Sequence, residues 1–141
     1  INMKSSIFAG VLLLSAAVLS VDGETGVQRF KRQHMNRWMS SQGCTFEIRS
    51  NRIMNDDGSC KKRNTFINDY YDNVKAICSR GQKKGGNLYQ SNKLFSIVQC
   101  TLQSGTRFPD CEYRNDSPTT RKKIVIGCND YQQPVHFEEF M

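Results

Sequence analysis

Two histidines, His34 and His136, lie far apart in the sequence. A run of three cations lies between them, in the stretch CKKRNTF from Cys60 to Phe66. An imidazole with its ordinary pKa of about 6.5 can take or give a proton near neutral pH. Either histidine alone would be an unremarked surface or capping residue. Two of them with a fixed cation are a minimal kit for metal-free phosphodiester cleavage. One imidazole takes the proton of a nucleophilic hydroxyl, the other protonates the leaving oxygen, and the cation stabilises charge building on the phosphoryl oxygens. Metal chemistry is not expected: the sequence has no CxxC, and its two histidines lie far apart. No cofactor is expected either.

These groups must be held by a small frame. The six cysteines, Cys44, Cys60, Cys78, Cys100, Cys111 and Cys128, all fall after residue 24. An even count in a secreted chain implies three disulfides, and spacing alone does not choose among the pairings. Secretion is expected from the N-terminus. The lead Met3-Lys4 precedes the uncharged apolar run IFAGVLLLSAAVL, Ile7 to Leu19, and the small residues around Ser20 to Gly23. That run is short of the roughly 20 residues a spanning helix needs, so no transmembrane segment is expected in the mature chain. Residues 1–23 are therefore assigned to an N-terminal extension and secretory signal peptide, and residues 24–141 to one domain. The sequence gives no account of Ile1-Asn2 ahead of Met3. The net charge of +7 draws a secreted protein to polyanions: nucleic acid, heparin-like glycans, anionic membranes.

The pattern along the domain predicts helices first and strands second. Val27–Asn36 places Val27, Phe30 and His34 on one helical face. Thr45–Ile53 is a second helix. Asn68–Cys78 is a third, with Asn68 as its cap and Tyr70, Val74 and Ile77 or Cys78 on one stripe. After Gly81, the segments NLYQSN, KLFSIVQCTLQ, CEYRN, RKKIVIGC and QPVHFEEF are rich in β-branched and aromatic residues. Gly85-Gly86, Ser104-Gly105, Pro109-Asp110 and Ser117-Pro118 punctuate them. The expected class is α+β, with helices packed on an antiparallel sheet.

Three motifs in order carry a resemblance. RFKRQHM, CKKRNTF and PVHFEEF are similar to the first helix, the CKxxNTF signature and the C-terminal histidine strand of the pancreatic-type ribonuclease (ribonuclease A) superfamily. The likeness spans about Phe30 to Phe140. It implies a V- or kidney-shaped fold and the pairings Cys44–Cys100, Cys60–Cys111 and Cys78–Cys128. It implies that His34 is the base for a ribose 2′-hydroxyl, His136 the acid for the 5′-oxygen, and Lys61 the cation at the phosphoryl oxygens. Thr65 and Phe137 are then at a pyrimidine pocket, Gln33 at the scissile phosphate, and Glu138 where the family has an aspartate orienting the acid histidine. Arg29 and Arg32 fall at flanking-phosphate positions, and Lys83 and Lys84 are further phosphate candidates. Phe66 is expected in the core, and Lys62 and Arg63 as basic surface.

The chain departs from the digestive members in lacking a fourth disulfide: Ser79–Gln99 has no cysteine, and the glycine-rich, basic RGQKKGGN occupies that region. This is similar to the angiogenin-like three-disulfide branch and to non-mammalian members. The implied function is a secreted, monomeric endoribonuclease acting on RNA. The alternative is an angiogenic or antimicrobial host-defence protein on the same scaffold with weak catalysis. Candidate partners besides RNA are ribonuclease inhibitor, heparin-like glycans and bacterial surfaces, and nuclear uptake is a further localisation to test. Arg121–Lys123 is a basic surface cluster, or a strand edge protected by charge. Asn115-Asp116-Ser117 is a glycosylation sequon that Pro118 disfavours.

Overall fold

The computed structural model describes residues 23–140. The expected signal peptide and the unexplained Ile1-Asn2 lie outside the described residues, apart from Gly23. No described helix is long and apolar enough to cross a membrane.

Helix α1 spans Gly26–His34. Thr25 starts it with a reciprocal capping box: its hydroxyl accepts from the Gln28 N–H at 3.1 Å, and the Gln28 side chain accepts from the Thr25 N–H at 2.9 Å. Its buried face carries Phe30, Gln33 and His34. The helix stops two residues before the expected end. Met35 is extended and bridges to Ile67, and the Asn36 N–H donates to the Ile67 carbonyl. Helix α2 is Cys44–Ser50, shorter than the predicted Thr45–Ile53.

The third helix differs from expectation in two ways. It is broken at Ala76 into α3, Tyr71–Lys75, and α4, Ile77–Arg80. Its cap position is Tyr70, and Asn68 does not cap it. The Asn68 side chain donates instead to the Met39 carbonyl at 3.1 Å, and its N–H to the Ser96 carbonyl. Val74, Ile77 and Cys78 are buried as the stripe predicted, whereas Tyr70 is exposed.

Among the described residues, eight strands form two antiparallel sheets. In chain order they are β1 Arg63–Ile67, β2 Gln82–Gly85, β3 Leu88–Gln90, β4 Phe95–Ser104, β5 Glu112–Tyr113, β6 Thr119–Lys122, β7 Ile124–Cys128 and β8 Pro134–Phe140. In the first sheet, β1 lies along one edge of β4; β6 pairs with the start of β4 and β5 with its end. The second sheet has the order β2-β3-β7-β8. Strand β1 was not predicted. Four of its five residues are buried, so it lacks the in–out alternation that marks a half-exposed strand. The RKKIVIGC segment divides at Lys123 between β6 and β7. The glycine-rich RGQKKGGN folds as a hairpin, with Gly85 and Gly86 at φ +106° and +56° in its turn.

Two core clusters serve these sheets. Phe30, Ile67, Val74, Ile77, Phe95, Ile97, Ile124 and Ile126 form one, under α1 and the second sheet. Ile48, Ile53, Phe66, Val98 and Tyr113 form the other, around α2. Disulfides tie the frame: Cys44–Cys100 joins α2 to β4, Cys78–Cys128 joins α4 to β7, and Cys60–Cys111 closes the approach to β1. Each closes a loop of 50 residues or more, for which the loop-entropy treatment gives up to ~4 kcal/mol. The chain is an α+β domain stapled by three disulfides.

Candidate active site

Both histidines line one cleft of about 780 Å³, together with Gln33, Lys61, Thr65 and Phe137. Helix α1, strand β1 with the segment just before it that carries Lys61, and strand β8 supply these side chains. The N-terminal turn of α1 rests on β8: a Cβ at Gly26 would lie 3.2 Å from Val135 Cγ1. Beneath the final strand, His136 pairs with Gly127 of β7, where a Cβ would come within 3.1 Å of His136 Cβ. A side chain at 127 would press on His136, so glycine there lets β8 lie in register.

His34 ends α1 buried, with 8% of its surface exposed. Its Nδ1 lies 2.8 Å from the Thr65 carbonyl oxygen. A carbonyl only accepts, so Nδ1 carries the proton and the neutral ring keeps its lone pair on Nε2. Burial pushes the His34 pKa down to about 3; the hydrogen bond to Thr65 opposes this, and the charges of Lys61, His136 and Arg29 reinforce it. His34 is thus a neutral imidazole through the physiological range, with Nε2 free to take a proton. Its ring stacks on Phe137 with centroids 5.3 Å apart and tilts against Phe30 at 5.4 Å, which fixes its plane.

His136 is the complement. It is more than half exposed, and its Nε2 lies 2.7 Å from Glu138 Oε1. An ionised carboxylate only accepts, so Nε2 bears the proton there and Nδ1 is the remaining nitrogen. The glutamate reaches the imidazole despite its extra methylene relative to aspartate.

Lys61 is partly buried, and its Nζ donates to Asn64 Oδ1 at 2.9 Å. Burial, then Arg29 and Arg32, lower its pKa. The Asn64 amide is oriented from its other end, where Nδ2 donates to the buried Gln33 carbonyl at 2.8 Å. One side chain of β1 therefore ties the cation that precedes the strand to the helix that carries His34. Tyr113 adds to this by donating its hydroxyl proton to the Lys61 carbonyl at 2.6 Å.

The family model for pancreatic ribonuclease matches residues 25–138. The chain belongs to the pancreatic ribonuclease family. Ribonuclease-like 3 of Danio rerio is 35% identical, with 93% of each chain covered. The alpha-type pancreatic ribonuclease of Rattus fuscipes is 34% identical over 92% of this chain and 90% of its own. Among solved structures, zebrafish RNase5 superposes with a TM-score of 0.75 at 35% identity, covering 86% of this chain and 99% of that one. Green turtle egg white ribonuclease gives 0.73 at 29% identity, covering 84% and 100%.

This member of the family does not bring every candidate to the cleft. Arg29 lines it, but Arg32 does not. The Arg32 guanidinium is committed elsewhere: Nε and Nη2 donate to the Glu24 carboxylate at 2.6 and 2.8 Å, and Nη1 to the Asn51 and Arg52 carbonyls at 2.9 Å. The pair holds the Glu24 carboxyl below its ordinary range and raises Arg32 above its own. Arg32 is thus a strut joining α1 to the end of α2. Lys83 and Lys84 are exposed on the outer hairpin strand β2, away from the cleft lining.

The sequence assigns no site role to several other lining residues. Gln99 stands opposite Thr65 in the β1–β4 register, a relation visible only once the strands are paired. Arg63, assigned to basic surface, also lines the cleft, as does Asp56. Asn64 sits inside the CKxxNTF motif, and only the structure gives it a task. Among the described residues, no three His, Cys, Asp or Glu side chains group to hold a metal ion.

Proposed function

We propose that the chain is a secreted endoribonuclease that cleaves single-stranded RNA on the 3′ side of pyrimidines without a metal. The observation that carries this is the pair of opposed ring-nitrogen contacts in one cleft: His34 bonded through Nδ1, and His136 bonded through Nε2. In the first step, His34 Nε2 takes the proton of the ribose 2′-hydroxyl. The 2′-oxygen bonds to phosphorus, the bond from phosphorus to the 5′-oxygen breaks, and protonated His136 gives its Nδ1 proton to that oxygen. The products are a 2′,3′-cyclic phosphate and a 5′-hydroxyl. Water then opens the ring with the proton roles reversed. Lys61 supplies the cation at the phosphoryl oxygens, where removal of such a contact costs on the order of 10²–10³ in rate. Gln33 borders the same phosphate.

The need for a 2′-hydroxyl restricts the chemistry to RNA. Thr65 supports the pyrimidine preference, since a hydroxyl can both donate and accept and so serve uracil or cytosine. Phe137 supplies an aromatic wall beside it. Arg29 is placed to hold a neighbouring phosphate. The experiment is cleavage of tRNA by the purified chain beside His136→Ala. Cuts after uridine or cytidine that vanish in the variant are expected. Equal cutting after all four bases would refute the pyrimidine pocket, and undiminished cutting by His136→Ala would refute the mechanism.

A further inference from the structure

A cleft for a polyanion has little use for a carboxylate at its wall, yet Asp56 lies there. Its Oδ1 is 2.7 Å from Arg29 Nη2. Arg29 precedes His34 by five residues, about 7.5 Å of helix rise, whereas Thr65 is bonded directly to His34. The Arg29 end of the cleft therefore lies beyond the reacting phosphate, away from the pyrimidine pocket, where the strand continues past the leaving oxygen.

Asp56 is held in place by a built turn. The Asn55 N–H donates to the Ser59 carbonyl at 3.0 Å, and the Gly58 N–H to the Asn55 carbonyl at 2.9 Å. The Asn55 amide donates to Ser59 Oγ at 2.9 Å and to the Cys60 carbonyl at 3.3 Å. Asp57 Oδ1 accepts from the Ser59 N–H and hydroxyl, and Arg107 donates to the Asp57 carbonyl at 2.9 Å. Gly58 has φ +85°, and Arg107 fills the space where a Cβ would stand. The turn ends on the Cys60–Cys111 disulfide. Asp56 is thus presented to Arg29 by a rigid loop.

We propose that Asp56 is a specificity-determining residue, a built-in competitor that occupies Arg29, so that a phosphate on the leaving-group side must displace a carboxylate to reach the cation. The proposal rests on the ribonuclease reading above. Arg29 and Asp56 have side chains 49% and 86% exposed, so solvent screens the pair and its displacement is a few-fold effect. The enzyme then gains less from RNA extending past the cut than a bare arginine would give it.

The test takes the ratio of kcat/KM at low salt for uridylyl-adenosine bearing a 3′-terminal phosphate to that for the same dinucleotide without it. Asp56→Asn should raise the ratio by about two- to five-fold, and Arg29→Gln should lower it. In the Arg29→Gln background, Asp56→Asn should change it little. An unchanged ratio in Asp56→Asn overturns the proposal. So does an equal rise with and without Arg29, which would be a general effect of removing negative charge. The same ratio is read from the Kd values of 2′-deoxy analogues, which cannot react. Absence of cleavage would therefore sink the ribonuclease reading, while an unchanged Kd ratio would sink the role of Asp56.

Discussion

His34 and His136 are the same residue type made unlike by their surroundings. Burial keeps His34 neutral and Thr65 fixes its tautomer, while His136 is exposed and held by a carboxylate. A consequence follows for rate against pH. The base must be unprotonated in the free enzyme, and His34 is pushed down to about 3. The acid limb of kcat/KM should therefore lie well below pH 6.5, as a macroscopic value of the coupled pair. Bound phosphate offsets the positive charges that help depress His34, so the corresponding limb of kcat should lie at higher pH than that of kcat/KM. Profiles from pH 3 to 8 on a dinucleotide check both. An acid limb of kcat/KM at or above 6.5 would show that His34 is solvated in the working enzyme.

At the scale of elements, the site depends on the junction between α1 and β1, and Asn64 is its fastening. Asn64→Ala should leave the Gln33 carbonyl buried without its donor, a cost of about 1–3 kcal/mol, and should free Lys61 Nζ from its anchor. The expected outcome is a Tm lower by several degrees together with a fall in kcat larger than any change in KM. An unchanged kcat at reduced Tm would limit Asn64 to a structural role. The sequence could not disclose this fastening, because a hydrogen bond between residues 31 apart leaves no local pattern. What local pattern could show, it did show. The face of α1 follows from Phe30 and His34 at helical spacing, and β8 from its β-branched and aromatic residues. Strand β1 stayed hidden because burial on both faces erased the alternation. The break at Ala76 stayed hidden because Val74, Ile77 and Cys78 keep a continuous apolar stripe across it. Arg32 looked like Arg29 in sequence, and only the partners Glu24, Asn51 and Arg52, brought in by the fold, separate a strut from a cation facing the cleft.

At the scale of the whole molecule, the frame and the chemistry oppose each other through His34. The fold holds the imidazole neutral in a buried place, whereas the unfolded chain leaves it free to protonate with the ordinary value of about 6.5. Between that value and about 3, the unfolded state binds a proton that the native state does not. Stability therefore rises with pH across this window, and is lost as pH falls from 6.5 toward 3, at ~1.4 kcal/mol per pH unit for one proton. Glu24, Asp57 and Asp116 also have depressed values, but from ordinary values of 4.5, 3.8 and 3.8, so their share is lost only at lower pH. The interval from 6.5 to 4.5 thus separates His34 from these carboxylates, and over it the linkage amounts to about 2–3 kcal/mol. His34→Asn removes the titration and can keep a donor for the Thr65 carbonyl, since its amide nitrogen takes the place of Nδ1. Denaturant unfolding with the disulfides intact should show the parent protein losing stability from pH 6.5 to 4.5. The variant should lose less by about that amount. Parallel curves for the two proteins would mean that His34 takes up its proton in the folded state as readily as in the unfolded one, and that the buried neutral base is not a property of this fold.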